Sequence, residues 1–208
     1  MAKQVYLIRH GETESNAAGR FVGSTDLPLN SRGLLQVRRL AELLPAGLGA
    51  VGAGIRCVAS PLLRAQQTAA TVAGHFGLPV STDADLREID FGAWEGLTAE
   101  EIEARFPGAL AEWTSPKDDT TFPDGESLRE FDRRVSRALA RILREEAEAV
   151  LVFAHGGVVR ALVCELLGLG REGFWLLAVQ PASVARVDLF EGGAVLAELW
   201  SVVDREAD

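Results

Sequence analysis

Val5-Tyr6-Leu7-Ile8-Arg9-His10-Gly11-Glu12-Thr13 is a short apolar run that passes without a break into an arginine–histidine pair. Four apolar residues in a row fit a strand buried on both faces, as the centre of a parallel sheet requires. Two further stretches read the same way. Ile55 to Ala59 leads into Ser60-Pro61, which predicts a helix start with serine as N-cap and proline in the first turn. That places Arg64 in the first or second turn. Ala149 to Ala154 leads into His155-Gly156-Gly157 and then a helix from Val158 to Leu167. The chain has three histidines, and two of them, His10 and His155, directly follow such runs.

The rest of the chain fills in around these strands. A polar loop is expected from Glu14 to Asn30. Leu34, Leu35, Val37, Leu40, Leu43 and Leu44 then form a helical stripe that stops at Pro45. Leu86 and Ile89 flank Glu88 in a short extended piece. Thr98-Ala99-Glu100-Glu101 predicts a capping box, and Glu126 to about Ala147 a long helix with Leu128, Phe131, Val135, Ala138 and Ile142 on one face. Ser183 to Phe190 and Ala194 to Val203, joined by Glu191-Gly192-Gly193, read as a hairpin at one edge. Strands alternating with helices imply an α/β fold, a three-layer α/β/α sandwich with a mostly parallel central sheet and an antiparallel edge. No internal repeat or linker divides the sequence, so a single domain over 1–208 is expected.

Bulk properties exclude several classes of partner. The chain has 208 residues, 48% of them apolar and 25% charged, the profile of an ordinary globular protein. A net charge of -9 argues against nucleic acid or an anionic membrane. An anionic substrate must therefore be drawn by a local arginine cluster. Cys57 in a strand and Cys164 in a helix lack metal-like spacing and suggest small buried residues in a reducing compartment. The apolar run from Val5 to Ile8 is too short for a signal peptide, so a cytoplasmic location is expected.

Arg9-His10, Ser60 through Arg64, and His155-Gly156 all fall at the carboxyl ends of strands, where open α/β sheets hold their ligands. Two of these groups also lie at predicted helix N-termini, which favour anions. An imidazole can act as nucleophile and a guanidinium can hold phosphate oxygens in a planar fork. Residue type and inferred position point to phosphoryl chemistry.

The motifs RHGET at 9–13 with Asn16, SPLLRAQQTA at 60–69, LREIDFGAWEG at 86–96, GES at 125–127 and AHGG at 154–157 run in this order along nearly the whole chain. With them the sequence resembles the histidine phosphatase superfamily, also called phosphoglycerate mutase-like, in its short bacterial phosphatase branch, with α-ribazole phosphatases as the nearest likeness. The resemblance implies that His10 attacks phosphorus, that Arg9, Arg64 and His155 surround the phosphoryl oxygens, and that Glu88 serves as acid and then base. It assigns Asn16 and Gly156 as neutral donors to the substrate, and Gly23 is also expected to contact the substrate, in a loop that lines the pocket with Arg20, Phe21 and Val22. It implies a metal-independent phosphomonoester hydrolase for a small metabolite, with no cofactor. The alternatives are a cofactor-dependent phosphoglycerate mutase and a catalytically silent phosphate-binding domain. The short interval between Glu88 and His155 favours hydrolysis, because the mutases carry a longer insertion there.

Several residues read as scaffold or as decoys. Trp94 and Glu95 are expected to pack and fix loops, and His75 to be structural or exposed. Asp124, where the family has a small residue, is expected near the pocket rim. Phe106, Trp113 and Phe122 suit either an apolar cap over the pocket or the core. Gly47-Leu48-Gly49-Ala50-Val51-Gly52 matches a dinucleotide loop in letters, but it follows a helix and precedes a strand, the reverse of what that loop requires. Arg129, Arg133, Arg134, Arg137, Arg141 and Arg144 are matched by nearby acids and read as a solvated helix face, with Glu130 and Arg134 at favourable spacing. An exposed edge strand near the C-terminus offers a surface for a homodimer.

Overall fold

A computed structural model describes residues 3–44, 54–115 and 120–202. In chain order its elements are β1 (Lys3–Arg9), α1 (Glu14–Ala17), α2 (Ser31–Leu43), β2 (Ile55–Ala59), α3 (Leu63–His75), β3 (Val80–Thr82), α4 (Ala99–Arg105), α5 (Ala109–Thr114), α6 (Leu128–Arg144), β4 (Ala149–Ala154), α7 (Gly156–Leu167), β5 (Ser183–Phe190) and β6 (Gly193–Ser201). Short 3-10 turns at Ala84–Leu86, Gly92–Trp94 and Arg171–Leu176 complete the set.

The apolar runs form strands because each alternates between two apolar layers. In β1, Val5 and Leu7 enter one cluster and Tyr6 and Ile8 the other. In β4, Val150, Val152 and Ala154 take the first side and Ala149, Leu151 and Phe153 the second. Leu40, Ala69 and Val72 of α2 and α3 close one face, while Val135, Ile142, Val159 and Leu162 of α6 and α7 close the other. This is the expected three-layer sandwich.

The strand order is β3-β2-β4-β1-β5-β6. The first four are parallel, β5 runs antiparallel to β1, and β6 antiparallel to β5. Register brings the three motif-bearing strands to a common end. Arg9 pairs with Ala154 and Ala59 with Phe153. The pairing continues one step further, with His10 N donating to Ala154 O at 3.0 Å and Ser60 N to Phe153 O at 2.9 Å.

Some expectations need correction. The polar stretch after Thr13 contains the helical turn α1, closed by a reciprocal cap between Thr13 and Asn16. Ser60 does not cap α3. That helix starts at Leu63, its cap residue Leu62 offers no side-chain bond, and Ser60 Oγ instead accepts the Leu62 N–H at 3.3 Å. The long helix is α6, shorter than predicted, because Ser127 caps it with Glu130. The dinucleotide decoy at 47–52, Pro45, and the predicted end of the hairpin at Val203 lie outside the described residues.

The arginine face of α6 is not merely solvated. Arg134 is buried and donates to Glu126 and to the backbone carbonyls of Asp85, Arg87 and Glu88. Glu130 is taken up in the cap, so its predicted pairing with Arg134 does not form. Arg137 pairs with Asp85 at 2.7 Å and Arg141 with Asp83 at 2.8 Å. The face is a clamp on residues 83–88. Removing Arg134 strands the Glu126 carboxylate and three carbonyls, so Arg134→Leu should lose about 3 kcal/mol of stability, read as a lower urea midpoint. Exposed Arg129→Ala should change it by less than about 0.5 kcal/mol. Equal midpoints for the two variants would refute the clamp.

Candidate active site

His10 and His155 meet above the carboxyl ends of β1 and β4, ring centroids 5.2 Å apart and 62° between planes. Both are buried. His10 Nδ1 lies 2.6 Å from the Gly11 carbonyl oxygen. A carbonyl can only accept, so Nδ1 carries the hydrogen and Nε2 keeps its lone pair. Burial, then the charges of Arg9 and Arg64, holds His10 well below its ordinary value near 6.5. A neutral ring with Nε2 free is able to act as a base or a nucleophile.

The position of that carbonyl is enforced by close packing. A Cβ on Gly11 would sit 2.7 Å from Gly33 O, and one on Gly33 would sit 2.1 Å from Glu12 O. Two glycines thus let the turn after β1 press against the start of α2. Gly11 N donates to Thr68 Oγ1 at 3.2 Å, and Thr68 in turn donates to Arg64 O at 2.8 Å.

His155 Nε2 lies 2.8 Å from Ser60 Oγ, and its Nδ1 is buried with no partner among the described residues. Burial, Arg64, His10 and Arg9 all lower its proton affinity well below normal. Arg9 donates from Nη1 to Val179 O at 2.7 Å, while its buried Nε has no partner among the described residues. Burial brings Arg9 down to about 10, which leaves it a cation at neutral pH. The unpaired Nε of Arg9 is a buried donor beside two neutral imidazoles, an arrangement able to accept an anion.

Arg64 is buried on the first turn of α3, as expected, and is fixed by the loop it faces. Nη1 donates to Thr25 O at 2.8 Å and Nη2 to Gly23 O at 2.7 Å. Glu95 holds the same loop by accepting from Gly23 N, Ser24 N and Thr25 N. Gly23 therefore belongs to the scaffold and corrects the expected substrate contact, since its amide and carbonyl are both engaged. A Cβ there would overlap Ile89 O at 1.6 Å. The start of α3 is also no free anion site, because Asp26 Oδ1 accepts the Leu63 N–H at 2.6 Å.

Glu88 reaches the opposite helix start. Its Oε2 accepts from Gly157 N at 2.9 Å and its Oε1 from Ile89 N at 3.1 Å, with 9% of the residue exposed. Gly156 opens α7, where its N–H faces out of the helix, and packs on the Arg9 guanidinium. Asn16 Oδ1 accepts from Thr13 N and Oγ1, which leaves its amide nitrogen as the donor.

Arg9, Asn16, Glu88 and Gly156 border a pocket of about 270 Å³ whose walls include Arg20, Phe21 and Val22. Trp113 forms part of an aromatic wall with Phe174 and Trp175, whereas Phe122 is core and Phe106 packs against it. Asp124 is not at this rim. It borders a separate cleft with Asp90, Glu126 and Arg133. His75 is exposed at the end of α3, and Cys57 and Cys164 are free and buried. Sequence reasoning missed Asp26, Arg134 and Arg160, whose partners lie far away in the chain.

The histidine phosphatase superfamily (branch 1) matches residues 5–201, and the chain belongs to that family. Phosphatases are among its members, and these use a histidine nucleophile. The chain is 36% identical over 200 residues to a protein named probable phosphoglycerate mutase GpmB of Enterobacter sp., covering 96% of this chain and 90% of that one. It is 31% identical over 198 residues to phosphoserine phosphatase 1 of Hydrogenobacter thermophilus, covering 94% and 91%. It superposes on the α-ribazole phosphatase of Shigella flexneri with a TM-score of 0.82 at 30% identity, covering 96% of each chain.

In the unfolded chain both buried imidazoles bind a proton below about pH 6.5, whereas the fold keeps them neutral. Stability should thus decline as pH falls through that window, by about 1.4 kcal/mol per pH unit for each ring. His10→Gln should remove one ring's share from the slope of unfolding free energy between about pH 6.5 and 5. An unchanged slope would mean that His10 is already protonated in the fold.

Proposed function

We propose that the protein hydrolyses small phosphomonoesters through a phosphohistidine on His10. His10 Nε2 attacks phosphorus in line with the leaving oxygen, the P–O bond breaks, and Glu88 delivers the proton that the leaving oxygen needs. Arg9, Arg64, His155, the Gly156 amide and Asn16 hold the three equatorial oxygens as charge spreads over them. Water then enters, Glu88 takes its proton, the new P–O bond forms as P–N breaks, and inorganic phosphate leaves. The observation that carries this reading is the contact of His10 Nδ1 with Gly11 O at 2.6 Å, which leaves Nε2 as the free nitrogen of a ring whose centre lies 5.2 Å from that of His155.

The chemistry needs no metal in this reading, and among the described residues no cluster of His, Cys, Asp and Glu is arranged to hold one. A cytoplasmic enzyme that binds neither nucleic acid nor membrane fits the net charge of -9. Among the described residues, no helix is long and apolar enough to cross a membrane. The open β6 edge, with Val195 and Leu199 exposed, suits a homodimer. A single domain spanning 1–208 suits the one continuous sheet.

A generic aryl phosphate should be hydrolysed in the presence of chelator and without bisphosphoglycerate. His10→Ala should abolish turnover and the acid-labile, base-stable phosphoenzyme. Glu88→Gln should bind vanadate yet turn over at least ~100-fold more slowly. Strict dependence on bisphosphoglycerate with negligible hydrolysis would assign a mutase instead. A phosphoenzyme surviving in His10→Ala would overturn the nucleophile.

A further inference from the structure

The reaction above gives no task to Arg160, which lines the same pocket from α7. One helical turn, about 6 Å, separates it from Gly156 at the helix start. Its guanidinium is anchored on one side, where Nε donates to Leu177 O at 2.9 Å, and it lies 5.5 Å from the centre of the Phe174 ring. No carboxylate among the described residues comes within ion-pair distance of it. The contrast with Arg20 on the other wall is informative. Arg20 is already engaged by Glu101 and by the Gly96 carbonyl.

Charge in the pocket is therefore unevenly assigned. Arg9 lines the pocket, Arg20 is paired, and Arg160 is a half-buried cation with no carboxylate at ion-pair distance, its electrostatic support coming from Glu88, which borders the same pocket. Such a group is costly to keep dehydrated unless a ligand supplies the missing charge. Because Nε is already used, the edge formed by Nη1 and Nη2 is the part left to bind. That edge matches a planar carboxylate with two parallel hydrogen bonds. Phe21, Trp113 and Phe174 supply apolar surface in the same pocket.

Building on the phosphatase reading, we propose that Arg160 is a specificity residue, selecting phosphomonoesters whose leaving group carries a carboxylate beyond an apolar body. The carboxylate docks on Nη1 and Nη2 while the ester sits between Arg9 and His10. Recognition raises affinity for the leaving group and takes no part in bond making.

The ratio of kcat/KM for 4-carboxyphenyl phosphate over phenyl phosphate isolates this contact, since losses common to both esters cancel. Wild type is expected to favour the carboxylated ester by ~10-fold, chiefly through KM. Arg160→Met should bring the ratio close to one, and Arg160→Lys should keep part of it. A ratio near one in wild type, or an undiminished ratio in Arg160→Met, overturns the proposal. A second measurement covers a variant that fails to fold: 4-carboxybenzylphosphonate should inhibit wild type more tightly than benzylphosphonate, and equal inhibition counts against Arg160. If neither ester turns over while the phosphonates keep their order, the hydrolase reading fails and the carboxylate contact stands.

Discussion

One hydrogen bond, from His10 Nδ1 to the carbonyl of Gly11, sets the chemical state of the whole site. It selects the tautomer, and with burial and two arginines it keeps the ring neutral. The backbone that carries this carbonyl is closely packed. Gly11 and Gly33 press together too closely for any side chain at either position, and Thr68 ties the Gly11 amide to α3. A turn that in another protein would be a mobile loop is here part of the core.

The remaining groups are held by the same strategy, backbone and side chains fixed from a distant element. Residues 23–26 are gripped by Arg64 from α3 and by Glu95 from the turn Gly92–Trp94, while Asp26 occupies the start of α3. The Glu88 segment is gripped by Arg134 of α6, and its carboxylate rests on the first turn of α7. Four chain segments thus converge on a space smaller than any one of them could define. This rigidity keeps a cluster of arginines and two imidazoles together, although each charge disfavours its neighbours. In the proposed reaction a dianionic phosphoryl group would relieve that repulsion.

The sheet was readable from the sequence because burial on both faces leaves no polar alternation to confuse with a surface strand. Val5 to Ile8 and Ala149 to Ala154 show that pattern directly. The helix starts were less readable: Ser60-Pro61 has the letters of a cap, yet Ser60 is drawn to His155 and Leu62, and α3 begins later. His10, His155, Arg9 and Arg64 stand out by type and by position after strands, and Glu88 by the motif around it. Arg134 did not, because a balanced set of charges along α6 hides the one arginine that turns inward toward residues 85–88. Gly23 was assigned to the substrate, but a backbone position says nothing in sequence about which protein groups will claim its N–H and C=O. Arg160 and Asp26 depend on contacts with remote segments and carry no local signal.

If the Gly11 carbonyl governs the site, the state of a single ring in the substrate-free enzyme is the decisive quantity. Nitrogen NMR of the protein labelled with ¹⁵N at histidine, with His10 assigned by its loss in His10→Gln, reads that state at neutral pH. The account predicts a neutral imidazole protonated on Nδ1. An imidazolium signal, or a neutral ring protonated on Nε2, would contradict it.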